Sequence, residues 1–431
     1  MLDAAAKDDS VPAEIARLIV SPQAHARQHQ LFAAFQQLRH AGSIGRIELD
    51  EFDPFRVVTR HADILAISRQ PEVFRNAERP TVLVPHATER RVRALTAGSP
   101  HLIRTLVHMD APDHPEYRRL TQAWFAQHGI EALRHRIRVL AGKAVDDMIA
   151  RDEACEFVAD VARPFPLKVM IEILGLPDED APYILALTEQ FFAGQDALID
   201  DRSSARDPAR HAAHLVRTFR DFGDYFRPLL KARTDAPRDD LLTVIAQARI
   251  AGKPIPEFEA IGYLLILATA GHHTTSSAIA GGVWALCERP GEFRKVALDR
   301  SLIPNLVEEA VRWTTPVQHF MRTAMRDADV NGSPIAAGDW LMLNYLSASR
   351  DGAVFEAPDE FRIDRRMASA SFGHGVHACL GQHLARAEMG AFFEEMLARV
   401  AQIGLIGRPT RSASIFVGGP TTVPLRCRAA A

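Results

Sequence analysis

The run Phe372-Gly373-His374-Gly375-Val376-His377-Ala378-Cys379-Leu380-Gly381 decides how the rest of this 431-residue chain is read. A single cysteine sits among glycines, which let backbone come close to a flat object. An aromatic lies seven residues upstream, a basic side chain two upstream, and a helical pattern begins directly after Cys379. A thiolate at a helix N-terminus gains from the helix dipole and from free backbone N–H groups, which are expected to lower its pKa and moderate its donation. A lone cysteine is ordinarily a small core hydrophobe. The glycines, Phe372 and His377 around this one point to a ligand instead.

Upstream, Ile261–Leu267 is nearly continuous apolar side chain and Ala278–Leu286 is apolar again. That pattern predicts a helix over 256–288 buried on most faces. At its middle stand His272, His273, Thr274, Thr275, Ser276 and Ser277, polar groups that cost stability unless each finds a partner. A conflict of this kind between local pattern and global fold is a signature of functional sites. Ile266, Ala270 and Thr274 are four apart and share one face. Ala270 and Gly271 are small enough to leave room for a ligand, and Thr274 is expected to hydrogen-bond a carbonyl one turn back. His272 and His273 point about 100° apart, whereas metal ligands on one face need a spacing of three or four.

Helical periodicity recurs at about 28–40, 131–150, 161–175, 208–232, 303–313 and 380–398. Strand-like segments are short: Arg46–Leu49 with Arg56–Thr59, Trp340–Leu343, and Phe416–Arg426. The fold class is therefore mainly α, one large helical domain over 1–431 with a few small β-sheets and a partly irregular N-terminal arm, 1–27. The polar stretch Gly194–Arg210 is a candidate mobile connection. With 47% hydrophobic and 24% charged residues a large core is available. The formal net charge of −3 gives no case for nucleic acid as a partner. Four scattered cysteines without a CxxC suit a reducing cytoplasm better than a disulfide framework. The most apolar stretch is broken by the polar run at 272–277, so a soluble protein without a membrane anchor is expected.

The cysteine run resembles the haem-binding signature of the cytochrome P450 family, with Phe372, Gly375, His377, Cys379 and Gly381 at its fixed positions. Electron push from a thiolate is the chemistry wanted at such an iron. The resemblance implies haem b (iron protoporphyrin IX) with Cys379 as the metal ligand. Ala270–Thr275 is similar to the family's oxygen-activation motif, in which an acid and a threonine deliver protons. Thr274 carries over; His273 stands where the acid would be, and slower or less tightly coupled proton delivery is expected from it. A histidine can shuttle protons near neutral pH. Glu309 and Arg312, three apart on one helix, together with Arg365 in Pro358–Arg365, resemble the structural triad that orders the cysteine loop. Arg362 departs from the more usual Asp. His114 and Arg118, on a helix opened by Asp113 as cap, with Arg322 and His377, match the cations that hold the haem propionates.

The resemblance runs from about Leu31 to Arg426. Glu309–Val317, Gly381–Ala385 and Phe416–Pro420 look like a bacterial terpene-alcohol (alpha-terpineol) hydroxylase subfamily, whose members take terpineol-like or alkyl-aromatic compounds. It implies a monooxygenase inserting one atom of O2 into a C–H bond of a small hydrophobic substrate, with electrons from a ferredoxin and an NAD(P)H-dependent ferredoxin reductase. Ile266, Thr269, Ala270, Val317, Phe320, Phe416 and Val417 are the expected pocket walls. His101 and Gln318 are candidates for bonding a substrate hydroxyl, and Arg119, Arg366 and Arg386 for a ferredoxin patch. A peroxide-driven enzyme and a non-catalytic haem sensor or carrier are the alternatives. Peroxide-only turnover identifies the first; a retained Thr274 argues against the second.

Overall fold

The helix Glu257–Glu288, 32 residues long, is the axis around which the fold is built. It is apolar on nearly every face, and Leu264, Leu265, Ile279, Ala280, Val283 and Leu286 are completely buried. Each large apolar side chain so placed contributes about 1.5–3 kcal/mol. The helices Pro164–Leu174, Pro208–Asp235, Ile303–Thr314 and Gln382–Arg399 pack directly on it. Gln382–Arg399 in turn lies along Gln127–Ala150, so the central helix is enclosed in a second layer. The computed structural model describes residues 9–42, 44–151, 154–196, 208–366 and 369–430.

A five-stranded sheet stands to one side, in the order Gly45–Leu49, Phe52–Val58, Trp340–Asn344, His319–Ala324, Phe74–Arg75. Trp340–Asn344 is buried at every residue, as a central strand requires, and runs parallel to Phe52–Val58 with Leu341 opposite Arg56. Its other neighbour is antiparallel, with Leu341 opposite Arg322. That register carries Arg322 into the interior.

In the N-terminal arm, Ala13–Ile19 and Pro22–Arg27 are helices, and Ile15, Ala16 and Ile19 join the core beside the sheet, while residues 1–8 lie outside the described residues. Two expectations need correction. Segment 416–426 is not one strand but two short ones, Pro420–Thr422 and Pro424–Ala429, in different sheets. Asp113 does not cap its helix; it is the first helical residue, and its carboxylate is taken by Arg104. Of the polar connection Gly194–Arg210, residues 197–207 lie outside the described residues, while its ends continue the flanking helices.

Candidate active site

Cys379 follows two short 3-10 turns, Ala370–Phe372 and Gly375–His377, and precedes the helix Gln382–Arg399. Its N–H donates to the Phe372 carbonyl at 2.7 Å, closing the loop. Gly375 has φ +70°, and a Cβ there would lie 2.1 Å from the Ser68 carbonyl oxygen, so only glycine fits. Cys379 keeps an accessible face in the middle of densely packed protein. Burial pushes the thiol above its ordinary pKa, against the expectation of a lowered value. The Gly381 N–H and the cations of Arg118 and Arg386 pull the other way. The helix terminus alone therefore does not ionise this thiol; a coordinated metal would deprotonate it outright.

The expected triad is assembled. Arg312 meets both carboxylate oxygens of Glu309 at 2.7 Å, and both side chains are about 1% exposed. Arg365 reaches Glu309 at 3.3 Å and also binds the Ala357 carbonyl at 2.7 Å. Arg312 adds the carbonyls of Ser349, Pro358 and Glu360. A buried carboxylate is tolerable only when paired in this way. The Arg362 departure is harmless: its backbone N–H donates to Glu309 at 2.7 Å, while its side chain turns outward to Asp364.

His114 and His377 lie with ring centroids 4.2 Å apart, and Arg118 and Arg322 join them. Arg118 Nη2 donates to the Ala378 carbonyl at 2.9 Å, linking this group to the cysteine loop. Arg322 is 6% exposed and gives one N–H to the Met321 carbonyl at 2.8 Å. Among the described residues no carboxylate forms an ion pair with Arg118 or Arg322. Asp110 stands 3.8 Å from His377 Nε2. Burial would raise the Asp110 pKa, but His377 and the N–H groups of Ala77 and Asn76 hold it below the usual range. Burial, His377 and Arg118 push His114 down to about 4. His377 is also lowered, chiefly by burial. So the expected four cations are two permanent ones plus two neutral rings able to donate hydrogen bonds. Positive charge in excess of acid at a buried site suits a ligand carrying two carboxylates. Together with the accessible sulfur of Cys379, the donor set fits haem.

On the central helix most of the anomalous polar groups bond back along their own helix. Thr274 Oγ1 donates to the Ala270 carbonyl at 3.0 Å, as expected. His272 Nδ1 donates to Ala268 at 3.0 Å, Thr269 Oγ1 to Leu265 at 2.8 Å, and Ser276 Oγ to His273 at 3.0 Å. Ala270 is exposed although Ala268, Thr269 and His272 around it are each 1% exposed, so it forms the open face. Thr269 sits behind that face, not on it. Gly271 is likewise no ligand contact: a Cβ there would lie 2.4 Å from the Met170 Sδ, so its missing side chain admits Met170. Burial, His272 and Arg163 push His273 down to about 3, so its ring is neutral near neutral pH.

Val317 pairs with Val417 through an isolated antiparallel bridge. Phe320 meets Phe416 edge-on at 5.5 Å. The same loop reaches the central helix, where a Cβ on Gly419 would lie 2.5 Å from Ser277. Four of the expected wall residues thus form one apolar surface. Gln318 is not available to a substrate: it donates to the Ser414 carbonyl at 2.9 Å and holds His25. His101 is half-buried and stacks on His108 with ring centroids 4.2 Å apart, and its pKa falls to about 4 through burial. Arg386 is engaged by Glu308 and lies 4.4 Å from the Phe372 ring, which removes it from a free docking patch. Sequence reasoning missed Met170, Phe192, Arg163 and Glu189, which approach 271–277 from other helices without a local signal.

The cytochrome P450 family model matches residues 81–400, and the chain belongs to the cytochrome P450 family. It is a haem-thiolate monooxygenase, using O2 and a redox partner. Over 422 residues it is 40% identical to cytochrome P450-terp of a Pseudomonas species, covering 97% of this chain and 98% of that one. It is 30% identical over 368 residues to linalool 8-monooxygenase of Pseudomonas putida, covering 85% of this chain and 87% of that one. The crystal structure of CYP108D1 from Novosphingobium aromaticivorans superposes with a TM-score of 0.89 at 42% identity, covering 98% and 100% of the two chains. Among the described residues no helix is long and apolar enough to cross a membrane.

Proposed function

We propose that the protein hydroxylates a small hydrophobic molecule, a monoterpenoid or an alkyl- or aryl-substituted aromatic hydrocarbon. Electrons come from a ferredoxin and its NAD(P)H-dependent reductase, in the cytoplasm, and the whole chain acts as one domain. The observation that carries this reading is the apolar surface of Val317, Phe320, Phe416 and Val417, whose loop meets the central helix at Ser277. Two relatives, named P450-terp and linalool 8-monooxygenase, support the terpenoid class.

The haem supplies the redox chemistry of oxygen activation. Cys379 would hold the haem iron through its thiolate, and the Phe372, Gly375 and Gly381 backbone shapes its loop. His114, Arg118, Arg322 and His377 would hold the propionates. Ala270 leaves room beside the reacting face, and Thr274 holds a proton at Oγ1, anchored through the Ala270 carbonyl. The apolar wall excludes water and fixes which carbon is presented.

An optical titration with monoterpene alcohols and with alkyl- or aryl-benzenes tests the substrate class. A low-to-high-spin shift of the Soret band with one panel names it; no shift with either refutes it. A second reading, peroxide-driven turnover, is favoured by the neutral ring at His273. Turnover with peroxide alone would identify it, and His273→Asp that leaves peroxide leakage unchanged would remove His273 from proton delivery.

A further inference from the structure

Beside the central helix lies a cavity of about 250 Å³, bounded by that helix, the helix Ala181–Asp196 and the segment Ser412–Thr421. Its walls include Val158, Val417, Pro420 and the rings of Phe192 and His273, whose centroids are 4.7 Å apart. At the mouth Arg163 Nη1 and Glu189 Oε1 pair at 3.1 Å, with side chains 32% and 46% exposed. Val417 also belongs to the apolar surface with Val317, Phe320 and Phe416, so the cavity and that surface share one side chain.

Two hydroxyls stand on this space with hydrogen bonds still to make. Ser277 lines the cavity and is only 4% exposed. Among the described residues its Oγ has no hydrogen-bond partner, whereas the neighbouring Ser276 Oγ donates to the His273 carbonyl at 3.0 Å. Ser412 Oγ accepts the Gly419 N–H at 3.1 Å and has its own proton left to donate. A hydroxyl enclosed in this way is costly to leave unpaired. The Arg163–Glu189 pair balances its own charge, so the mouth selects neither an anion nor a cation. An apolar cavity of about 150 Å³ already takes benzene. The larger volume here admits a ring with a short substituent, and the two serines call for an oxygen on it.

We propose that this cavity is a second binding site, for an uncharged single-ring molecule carrying one hydroxyl. Ser277 and Ser412 hydrogen-bond that oxygen, which accepts from one serine and donates to the other. Cys379, Ala270 and Thr274 are not among its walls, so a molecule held here is not at the reacting centre. On the hydroxylase reading such a molecule is product and not substrate. A hydrocarbon lacks the oxygen that the serines bind, and its hydroxylated form has it. Product seated against Val417 presses on the substrate wall from outside and weakens the binding of further substrate. That consequence rests on the hydroxylase reading; the site itself does not.

The test uses full-length ferric holoprotein saturated with 4-phenylimidazole, which ligates the iron and blocks the substrate chamber. Binding of 4-fluorobenzyl alcohol is followed by 19F NMR line width. Saturable broadening is expected with the chamber blocked, and 4-fluorotoluene, which lacks the hydroxyl, should bind roughly tenfold more weakly. Ser277→Ala removes one hydrogen-bonding group without adding bulk. It should raise the Kd of the alcohol about fivefold and leave that of 4-fluorotoluene unchanged. Glu189→Trp places bulk over the mouth from an exposed position and should weaken both probes. No saturable broadening in the blocked wild type overturns the proposal. Equal affinity for the two probes overturns it too, as does an unchanged alcohol Kd in Ser277→Ala. A Soret spin shift in unblocked protein reads the substrate chamber alone, so the hydroxylase reading and this site fail separately.

Discussion

Replacing Gly271 by alanine separates packing from ligand contact on the central helix. Gly→Ala inside a helix gains about 1 kcal/mol of propensity. Here the new Cβ would lie 2.4, 2.8 and 3.0 Å from the Met170 Sδ, Cγ and Cε, and Met170 is 2% exposed. Overpacking of this kind costs about 1–3 kcal/mol. The two terms leave a net loss of about 0–2 kcal/mol. Met170→Ala alone opens a cavity and costs about 2–5 kcal/mol. In the double variant the added methyl at position 271 occupies part of that space, so the combined loss should fall short of the sum by about 1–3 kcal/mol. Urea unfolding of the four proteins, followed by far-UV circular dichroism, measures the coupling. Substrate titrations run in parallel: Ala270→Val should weaken the spin-state response, and Gly271→Ala should leave it nearly unchanged. Additive losses, or a spin response lost in Gly271→Ala and kept in Ala270→Val, would refute the assignment of Gly271 to the Met170 contact.

Arg312 makes five hydrogen bonds, two to Glu309 and three to carbonyls. Lysine has three donors, so Arg312→Lys strands at least two acceptors at about 1–3 kcal/mol each; purified protein should show a lower urea midpoint and a smaller thiolate-type carbonyl band. Arg322→Leu removes one of two permanent cations at the propionate cluster. At about 1.5–3 kcal/mol for a charged hydrogen bond, haem transfer to an acceptor globin should accelerate by roughly tenfold to a hundredfold. Glu388 is completely buried with both carboxylate oxygens unpartnered, and burial raises its pKa well above 4.5. The folded chain therefore keeps a proton that the unfolded chain releases, and stability falls as pH rises from 4.5 toward the folded pKa. Glu388→Gln should remove that slope and stabilise the protein increasingly with pH, by about 1.4 kcal/mol per unit; a gain independent of pH would contradict this.

What the sequence reveals depends on how far apart the interacting residues are. The central helix is legible because its apolar run and polar interruption lie in one segment. The cysteine loop is legible because the positive φ of Gly375 and the bond from Cys379 N–H to the Phe372 carbonyl lie within one short segment. Thr274 declares its own bond to Ala270 by spacing alone. Gly271 misleads, since a missing side chain looks the same whether it admits a ligand or a methionine from 101 residues upstream. His273 misleads in a second way: its ordinary pKa suggests a shuttle, and only the burial beside His272 and Arg163 shows a neutral ring. Gln318 and Arg386 look available in one dimension and are taken in three. The strand at 416–426 is misread because the loop Ser412–Gly419 is held by cross-links, not by a continuous ladder. Those links include Gly418 to Pro316 and Ser412 to Gly419.

The same cross-links reach further than the wall they support. Gln318 donates to the Ser414 carbonyl and on its other side meets His25, whose Nε2 donates to the Ile19 carbonyl at 2.9 Å. A short N-terminal helix is thereby braced, through one glutamine, to the loop that carries Phe416 and Val417. Directed evolution of regioselectivity therefore has a remote handle at His25 and Ile19, where a substitution would tilt the substrate wall without placing any new atom inside the chamber.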